Sequence, residues 1–326
     1  VIEARGLART FTGRRGTVEA VRGVDLSVAL GEIVGFLGPN GAGKSTTLRM
    51  LTTLLAPTAG SATVAGRDLR TDPGGVRRRI GYVAQGGGTD PSVPAGEELE
   101  LQARLYGVAD PAARIRELAR RLELDGEGLL ARPSAAMSGG QRRRLDVALG
   151  LVHRPPLVFL DEPTTGLDPQ SRGHLWEHIR RLRDRDGTTV FLTTHYLDEA
   201  DALCDRVLII DRGRIVAEGS PAELKRRVAG DVVTVELAGS GAPLEQVALR
   251  ARTALAGHSA VREATVLEGA LRLTVDDGDR SLMSLIRALD EAGVELAALR
   301  MARPTLDDVF LTVTGRSLRD SASAAA

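Results

Sequence analysis

Gly38-Pro39-Asn40-Gly41-Ala42-Gly43-Lys44-Ser45 has the spacing of a phosphate-binding loop, G-x-x-x-x-G-K-[ST]. Its glycines let successive backbone N–H groups turn inward around phosphate oxygens, and a helix opening behind them adds positive partial charge. Lys44 is placed to reach β- and γ-phosphates and the Ser45 hydroxyl to meet a Mg²⁺ ion, while Thr46 completes the nucleotide-binding stretch. A glycine-rich turn can match this pattern by chance. Here the apolar stretch Glu32–Leu37 precedes the loop and the helical stretch Ser45–Leu54 follows it, which is the strand–loop–helix context the chemistry needs. A second apolar run, Leu157–Leu160, ends in Asp161 and Glu162. Two carboxylates at the end of a buried strand are costly unless a cation or a proton relay uses them. Beside a phosphate loop, Asp161 is expected to hold Mg²⁺ and Glu162 to polarise the water that attacks in line.

Such a loop alone does not separate kinases, GTPases, helicases and transporters. Met137-Ser138-Gly139-Gly140-Gln141 stands ahead of Asp161 and opens a helix. Its small residues at a helix N-terminus make a second anion cradle, and it resembles the signature sequence of ABC ATPases. Met137 stands where that family usually has leucine, a volume-conserving departure. The resemblance implies that Ser138, Gly139, Gly140 and Gln141 face the γ-phosphate of ATP held by an opposite subunit. It also implies that Gln85 senses Mg²⁺ and couples to a membrane domain, and that Thr165-Gly166-Leu167-Asp168 is a loop at the dimer seam. His195 resembles the switch histidine on the γ-phosphate, and Phe11 stands where the family stacks an aromatic on adenine. A lone phenylalanine is otherwise a core residue, and both readings of Phe11 stay open here.

These residues must be positioned by an α/β core. Glu32–Leu37, Leu157–Leu160, Thr189–Thr193 and Arg206–Asp211 are short, β-branched and apolar, as buried strands of a largely parallel sheet are. Between them lie the helical stretches Ser45–Leu54, Ala112–Leu122, Gly140–Leu151 and Ser171–Arg183, and Ile80–Ala84 is strand-like before Gln85. The hairpin pieces Val64–Ala65–Gly66 and Gly213–Arg214–Ile215 point to an antiparallel β subregion, and the resemblance adds a helical subdomain. After about Gly230 the pattern changes. Val232–Leu237, Pro243–Ala256, Ala264–Leu267, Ala270–Val275 (around a turn at Glu268–Gly269), Ser281–Ala292 and Val294–Met301 read β-α-β-β-α-β, a small ferredoxin-like α+β domain. The expected division is therefore a P-loop NTPase domain over 1–229, an accessory or dimerisation domain over 230–316, and a frayed tail over 317–326.

A second, narrower resemblance rests on Thr193–Asp201 and on Arg303-Pro304-Thr305-Leu306-Asp307-Asp308-Val309-Phe310-Leu311. Both are similar to ATPases of bacterial drug exporters of the daunorubicin-resistance type. Leu306, Val309 and Phe310 share one helical face, which can dock within the chain or against a second copy. The resemblance implies an ATPase that uses ATP and Mg²⁺, works as an ATP-sandwiched homodimer, and sits peripherally on the cytoplasmic face of the membrane. Its partner is an integral membrane permease subunit, with drug export as the first cargo reading and lipid, polysaccharide or ion export as the alternative.

Composition is compatible with this and narrows little further. The 43 basic and 43 acidic residues cancel, so no global attraction to nucleic acid is expected. Lysine occurs only at Lys44 and Lys225, and Cys204 is the single cysteine, which excludes an internal disulfide. No charged-then-apolar leader opens the sequence, and runs such as Val207–Ile210 fall far short of the roughly 18–20 residues a membrane helix needs. His174-Leu175-Trp176-Glu177-His178 matches the zinc-protease pattern H-x-x-E-H, but it directly follows the Asp168 loop, where an ordinary packed helix is expected. Arg77–Arg79 and Arg142–Arg144 read as solvated helix faces rather than as a nucleic-acid site, and Cys204 as a small buried residue. A non-transport ABC ATPase is disfavoured by the single cassette and by the lack of a coiled coil between loop and signature. A regulatory module with a dead site is disfavoured by intact Lys44, Asp161, Glu162 and His195.

Overall fold

A computed structural model describes residues 1–13, 16–126, 128–228, 230–238, 244–255, 257–267 and 270–314. The expected turn at Glu268–Gly269 and the expected tail over 317–326 lie outside these residues. The described residues divide into two compact units, one over 1–220 and one over 221–314.

In the first unit the chain runs β1 (Ile2–Gly13), β2 (Gly16–Val28), β3 (Ile33–Leu37), α1 (Lys44–Leu51), β4 (Ala59–Val64) and β5 (Arg67–Asp68). It continues through α2 (Pro73–Arg79), β6 (Ile80–Val83), α3 (Ala95–Leu105), α4 (Pro111–Arg121), α5 (Gly139–Leu151) and β7 (Leu157–Asp161). Then come α6 (Pro169–Asp186), β8 (Thr189–Thr194), α7 (Leu197–Leu203), β9 (Arg206–Asp211) and β10 (Arg214–Gly219). Six strands form one sheet in the order β10-β9-β3-β8-β7-β6. All its neighbours are parallel except the β9–β10 hairpin. Every residue of β3, β7 and β8 is buried, as expected for parallel strands covered on both faces. Phe36, Phe159 and Phe191 meet across these three strands, with ring centroids 5.6 and 5.7 Å apart. They share one core with Leu48, Met50 and Leu51 of α1 and with the inner face of a four-stranded antiparallel sheet, β2-β1-β4-β5.

The parallel strands and the four expected helices lie within a few residues of their expected ends. The long hairpin of β1 and β2 was not resolved by the sequence pattern. Register shifts at Ala4/Leu7, Leu7/Ala8 and Arg9/Thr10, beside left-handed Gly6 and Gly23, break the period-two alternation that identifies a strand. Helix starts follow local chemistry: Asp72, Asp110 and Asp168 each cap a helix whose first turn carries proline.

The second unit holds α8 (Pro221–Val228), β11 (Asp231–Leu237), α9 (Leu244–Leu255), β12 (Val261–Leu267), β13 (Ala270–Val275), α10 (Gly278–Glu291), β14 (Leu296–Ala302) and α11 (Leu306–Thr314). Its sheet order β12-β13-β11-β14 is antiparallel throughout, the ferredoxin-like arrangement expected of β-α-β-β-α-β. Val233, Val235, Leu271 and Leu273 of the sheet close a core with Val247 and Ala251 of α9 and Leu285 and Leu289 of α10. Leu306, Val309 and Phe310 are buried, and α11 packs on α8. Of the two dockings open to that apolar face, packing within the chain is the one observed.

Helix α5 and strand β6 meet almost backbone to backbone. A Cβ on Gly81 would stand 2.2 Å from the Gly150 carbonyl oxygen, and one on Gly150 would stand 3.0 Å from Val83 Cγ2. This contact fixes the helix that carries Ser138 against the strand that leads to Gln85. Gly81→Ala is expected to destabilise the fold by about 1–3 kcal/mol through overpacking. Denaturant unfolding checks this, and an unchanged midpoint contradicts it.

Candidate nucleotide site

The phosphate loop leaves β3 and enters α1 at Lys44. Gly43 adopts a φ of 109°, and a Cβ there would stand 2.6 Å from the Ala20 carbonyl oxygen of β2. Gly38 is pinned likewise, its Cβ position lying 2.3 Å from the Ile210 carbonyl oxygen. Glycine is thus required by packing here as well as by phosphate access. Lys44 is buried, and its Nζ donates to the carbonyls of Gly38 at 2.7 Å and Pro39 at 3.2 Å. Thr46 is half-buried in the first turn of α1.

Asp161 ends β7 and accepts from Thr193 Oγ1 at 2.6 Å and from Ser45 Oγ at 3.3 Å on the same oxygen. Glu162 follows with φ 45°, left-handed backbone that costs a non-glycine residue about 1–2 kcal/mol. Its N–H is held by Thr193 of β8, at 3.1 Å to the carbonyl oxygen and 3.0 Å to Oγ1. This turn aims the carboxylate at the centre of the site. Glu162 Oε2 accepts from Gln85 Nε2 at 2.9 Å and from Thr165 Oγ1 at 3.2 Å. His195 Nδ1 lies 3.2 Å from the same oxygen without hydrogen-bond alignment, and Lys44 Nζ lies 3.5 Å from Oε1. Lys44, Ser45, Gln85, Asp161, Glu162 and His195 therefore form one cluster, although they come from four separate segments.

Burial alone would raise the Glu162 carboxyl, but His195, Lys44 and Thr165 together hold it below its ordinary value. Burial pushes the Lys44 ammonium down, opposed by Glu162 and then Asp161. Glu162 is thus an ionised carboxylate enclosed by donors, with no proton of its own at neutral pH.

Ser138 and Gln141 form a capping box at the start of α5: Gln141 N–H donates to Ser138 Oγ at 3.2 Å, and Ser138 N–H to Gln141 Oε1 at 2.9 Å. Ser138 and Gly139 are exposed. Gly140 lies against the first turn of α6, since a Cβ there would meet Ser171 Oγ at 2.8 Å. Asp168 itself caps α6 through Ser171, at 2.9 Å to the backbone N–H and 2.6 Å to the hydroxyl. Among the described residues, the hydrogen bonds of Ser138, Gln141 and Asp168 are local, and none joins them to the cluster around Glu162. Phe11 sits on β1 opposite Val18, 41% exposed, with the Arg9 guanidinium 4.7 Å from its ring centre. It is not a core residue.

Thr193 and Arg143, which both hold the site, escaped the sequence reading. Arg143 is not on a solvated face: it is buried and donates to Pro163 O at 2.7 Å, Ala84 O at 2.7 Å and Asp161 O at 3.1 Å. It ties α5 to the residues flanking both Gln85 and Glu162. The signal was its place on the apolar stripe Gly140–Arg143–Val147–Leu151 of α5, hidden inside an arginine run. His178, half of the H-x-x-E-H pattern, is buried on α6, and Cys204 is buried, with Sγ 2.6 Å from a Cβ built on Gly35.

The chain matches the family model described as ABC transporter over residues 21–165. A second model, the C-terminal domain of ATP-binding proteins of the DrrA1-3 type, matches residues 219–314. The daunorubicin/doxorubicin resistance ATP-binding protein DrrA of Streptomyces peucetius is 44% identical over 98% of this chain and 94% of its own. The chain belongs to the ABC transporter family. A Nod factor export ATP-binding protein of Ralstonia nicotianae is 37% identical over 98% of this chain and 95% of its own. A dimeric ATP-binding cassette solved in a post-hydrolysis state with ADP and Pi superposes with TM-score 0.63 at 26% identity. That superposition covers 68% of this chain and 98% of the cassette. This ABC protein is an ATP-binding subunit and an ATPase of transport, a class that works with a membrane partner. Among the described residues, no helix is long and apolar enough to cross a membrane.

The lowered Glu162 pKa has a signed consequence. A carboxyl held below its ordinary 4.5 in the folded state contributes stability above that pH and loses it as pH falls through the folded value. The stability difference between wild type and Glu162→Gln, followed by unfolding at stepped pH, is expected to be level above about pH 4.5 and to shift against wild type below it. A difference independent of pH contradicts the ionised, donor-enclosed carboxylate.

Proposed function

We propose that this ATPase powers export of a drug-like or antibiotic compound through a separate integral membrane permease, working as a homodimer with two ATP molecules between the copies. The observation that carries the reading is the Glu162 carboxylate, held by Lys44, Gln85, Thr165 and His195 while the Ser138 helix start stands exposed and apart from it. A cradle that does not serve its own chain's phosphate loop is available to another's. The dimeric relative cassette supports the pairing, and the resistance relatives support the cargo. A relative named for Nod factor export is a similar chain with a different cargo, and lipid, polysaccharide or ion export stays as the second reading.

In this mechanism residues 38–46 wrap the phosphates of ATP, with Phe11 against the adenine. The oxygens of Ser45, Asp161 and Gln85 suit a hard divalent cation, so Mg²⁺ fits here and would neutralise charge on the β- and γ-phosphates. Glu162 takes a proton from the water whose oxygen attacks the γ-phosphorus, and ADP leaves in line. Lys44 and His195 hold the γ-phosphate oxygens. Ser138, Gly139, Gly140 and Gln141 of the other copy close the site, with Asp168 at the seam. ADP lacks the bridging phosphate, so hydrolysis releases the pair.

The stroke reaches the membrane partner beside Gln85. A cavity of about 340 Å³ lies there, lined by Tyr82, Ala84, Glu98, Leu101, Gln102 and Asp146. Leu101 and Leu105 of α3 are exposed and offer the apolar anchor that a partner helix requires. The protein then acts on the cytoplasmic face of the membrane without entering it. Residues 1–229 serve as the nucleotide-binding domain and 230–316 as the accessory domain.

Glu162→Gln is expected to keep ATP binding, lose about 10²–10⁴-fold in turnover, and elute as a dimer in MgATP. Lys44→Ala is expected to lose ATP affinity. Rapid turnover by the first variant removes the base role, and unchanged ATP binding by the second removes the phosphate-loop reading.

A further inference from the structure

Glu199 is a carboxylate that the proposed mechanism does not use, and it is fully buried in the first turn of α7. An isolated buried carboxylate is expensive, so its partners identify what it is kept for. Oε1 accepts from Thr164 Oγ1 at 2.9 Å and from Trp176 Nε1 at 3.1 Å. Thr164 is itself fully buried, two residues beyond Glu162 on the segment that leads to Asp168. Trp176 lies on α6, the helix that Asp168 caps. Burial pushes the Glu199 carboxyl up, opposed by Thr194, Thr164 and Trp176 and by the charge of Arg172.

The second arm of this network leads to His195. Thr194, immediately before it, accepts the Tyr196 N–H on its hydroxyl at 2.9 Å. The His195 and Tyr196 rings are 4.1 Å apart, and the Arg172 guanidinium of α6 stacks 4.3 Å from the centre of the Tyr196 ring. Tyr196, the residue after His195, is thus held against α6, the helix that Glu199 grips through Trp176, and Thr194, the residue before, is tied to Tyr196. Among the described residues, no hydrogen bond joins the Thr164 or Glu199 side chain to the side chains clustered around Glu162.

We propose that Glu199 is a positioning residue that joins the His195 segment to the Glu162–Asp168 segment, so that both shift as one body when a γ-phosphate binds. The inference rests on the ATPase reading given above. Two short loops that answer the same phosphate are held in register by one buried acceptor, and Thr164 and Trp176 have no need to move independently. Because Trp176 is the only tryptophan, its indole reports on this joint directly.

The test uses the full chain with Glu199→Ala, Glu199→Gln and Thr164→Val, each checked for folding by thermal melting. Glu199→Ala is expected to lower kcat about tenfold or more with KM for ATP little changed, since a displaced loop misplaces the reacting groups without removing a phosphate contact. Glu199→Gln, which keeps an acceptor oxygen, recovers most of that loss. Thr164→Val, close in shape, reproduces it. In the Glu162→Gln background, Trp176 fluorescence differs between MgATP and MgADP, and the added Glu199→Ala abolishes the difference while ATP still binds. Equal kcat for wild type and Glu199→Ala, or equal losses in Glu199→Ala and Glu199→Gln, overturns the proposal. So does a Trp176 signal blind to the nucleotide. If the parent chain neither binds nor hydrolyses ATP, the ATPase reading itself fails, an outcome distinct from any of these.

Discussion

Glu162 is a carboxylate that the fold must bury, strain and surround all at once. Its left-handed backbone, φ 45°, turns the side chain off the end of β7 and back across the sheet. That conformation persists only because Thr193 of the neighbouring strand holds its N–H twice. An unpaired charge at this depth would not be tolerated, so donors have to be brought in from the phosphate loop, the Gln85 loop and the His195 loop. The same requirement fixes the strand order. β3, β8, β7 and β6 lie side by side, and their carboxyl ends deliver Lys44, His195, Glu162 and Gln85 to one place.

Arg143 extends this constraint to α5. By donating to carbonyls that flank both Gln85 and Glu162, it makes the helix that presents Ser138 part of the same rigid assembly. The close approach of Gly81 and Gly150 does the same through backbone packing. Gln85 and the Ser138 helix start are therefore joined without a flexible linker. Glu199 supplies the matching joint on the other side of β7, between the Asp168 and His195 loops. In the proposed dimer these two joints lead to the surfaces that meet the partner copy.

How much of this was legible in the sequence depended on whether the chemistry was contiguous. The phosphate loop and the Asp161–Glu162 pair are local patterns, and short apolar runs bounded by turn residues located β3, β7, β8 and β9 to within a residue or two. Gln85, Asp168 and His195 were named through a family resemblance, and the fold brings Gln85 and His195 into contact with Glu162. Arg143 was misread because a run of three arginines looks solvated unless the burial of α5 is known. Thr193 and Glu199 lie in the stretch that carries the exporter resemblance, but their roles were not legible there, since what matters about them is the neighbouring segment that each one grips. The β1–β2 hairpin was hidden by bulges that break its alternation, and α11 showed an apolar face without saying which surface it covers.

The central claim is that each chain carries two half-sites, a phosphate loop and a Ser138 cradle, which complete each other only between copies. It is tested most directly by mixing two inactive full-length variants, Lys44→Ala and Ser138→Arg, and measuring steady-state ATP hydrolysis against each variant alone. In a mixed dimer, Lys44 of one chain faces Ser138 of the other, so one intact site is restored. Partial recovery of turnover on mixing is therefore expected. No recovery, with both variants folded and able to pair, contradicts it and would place the whole reaction within a single chain.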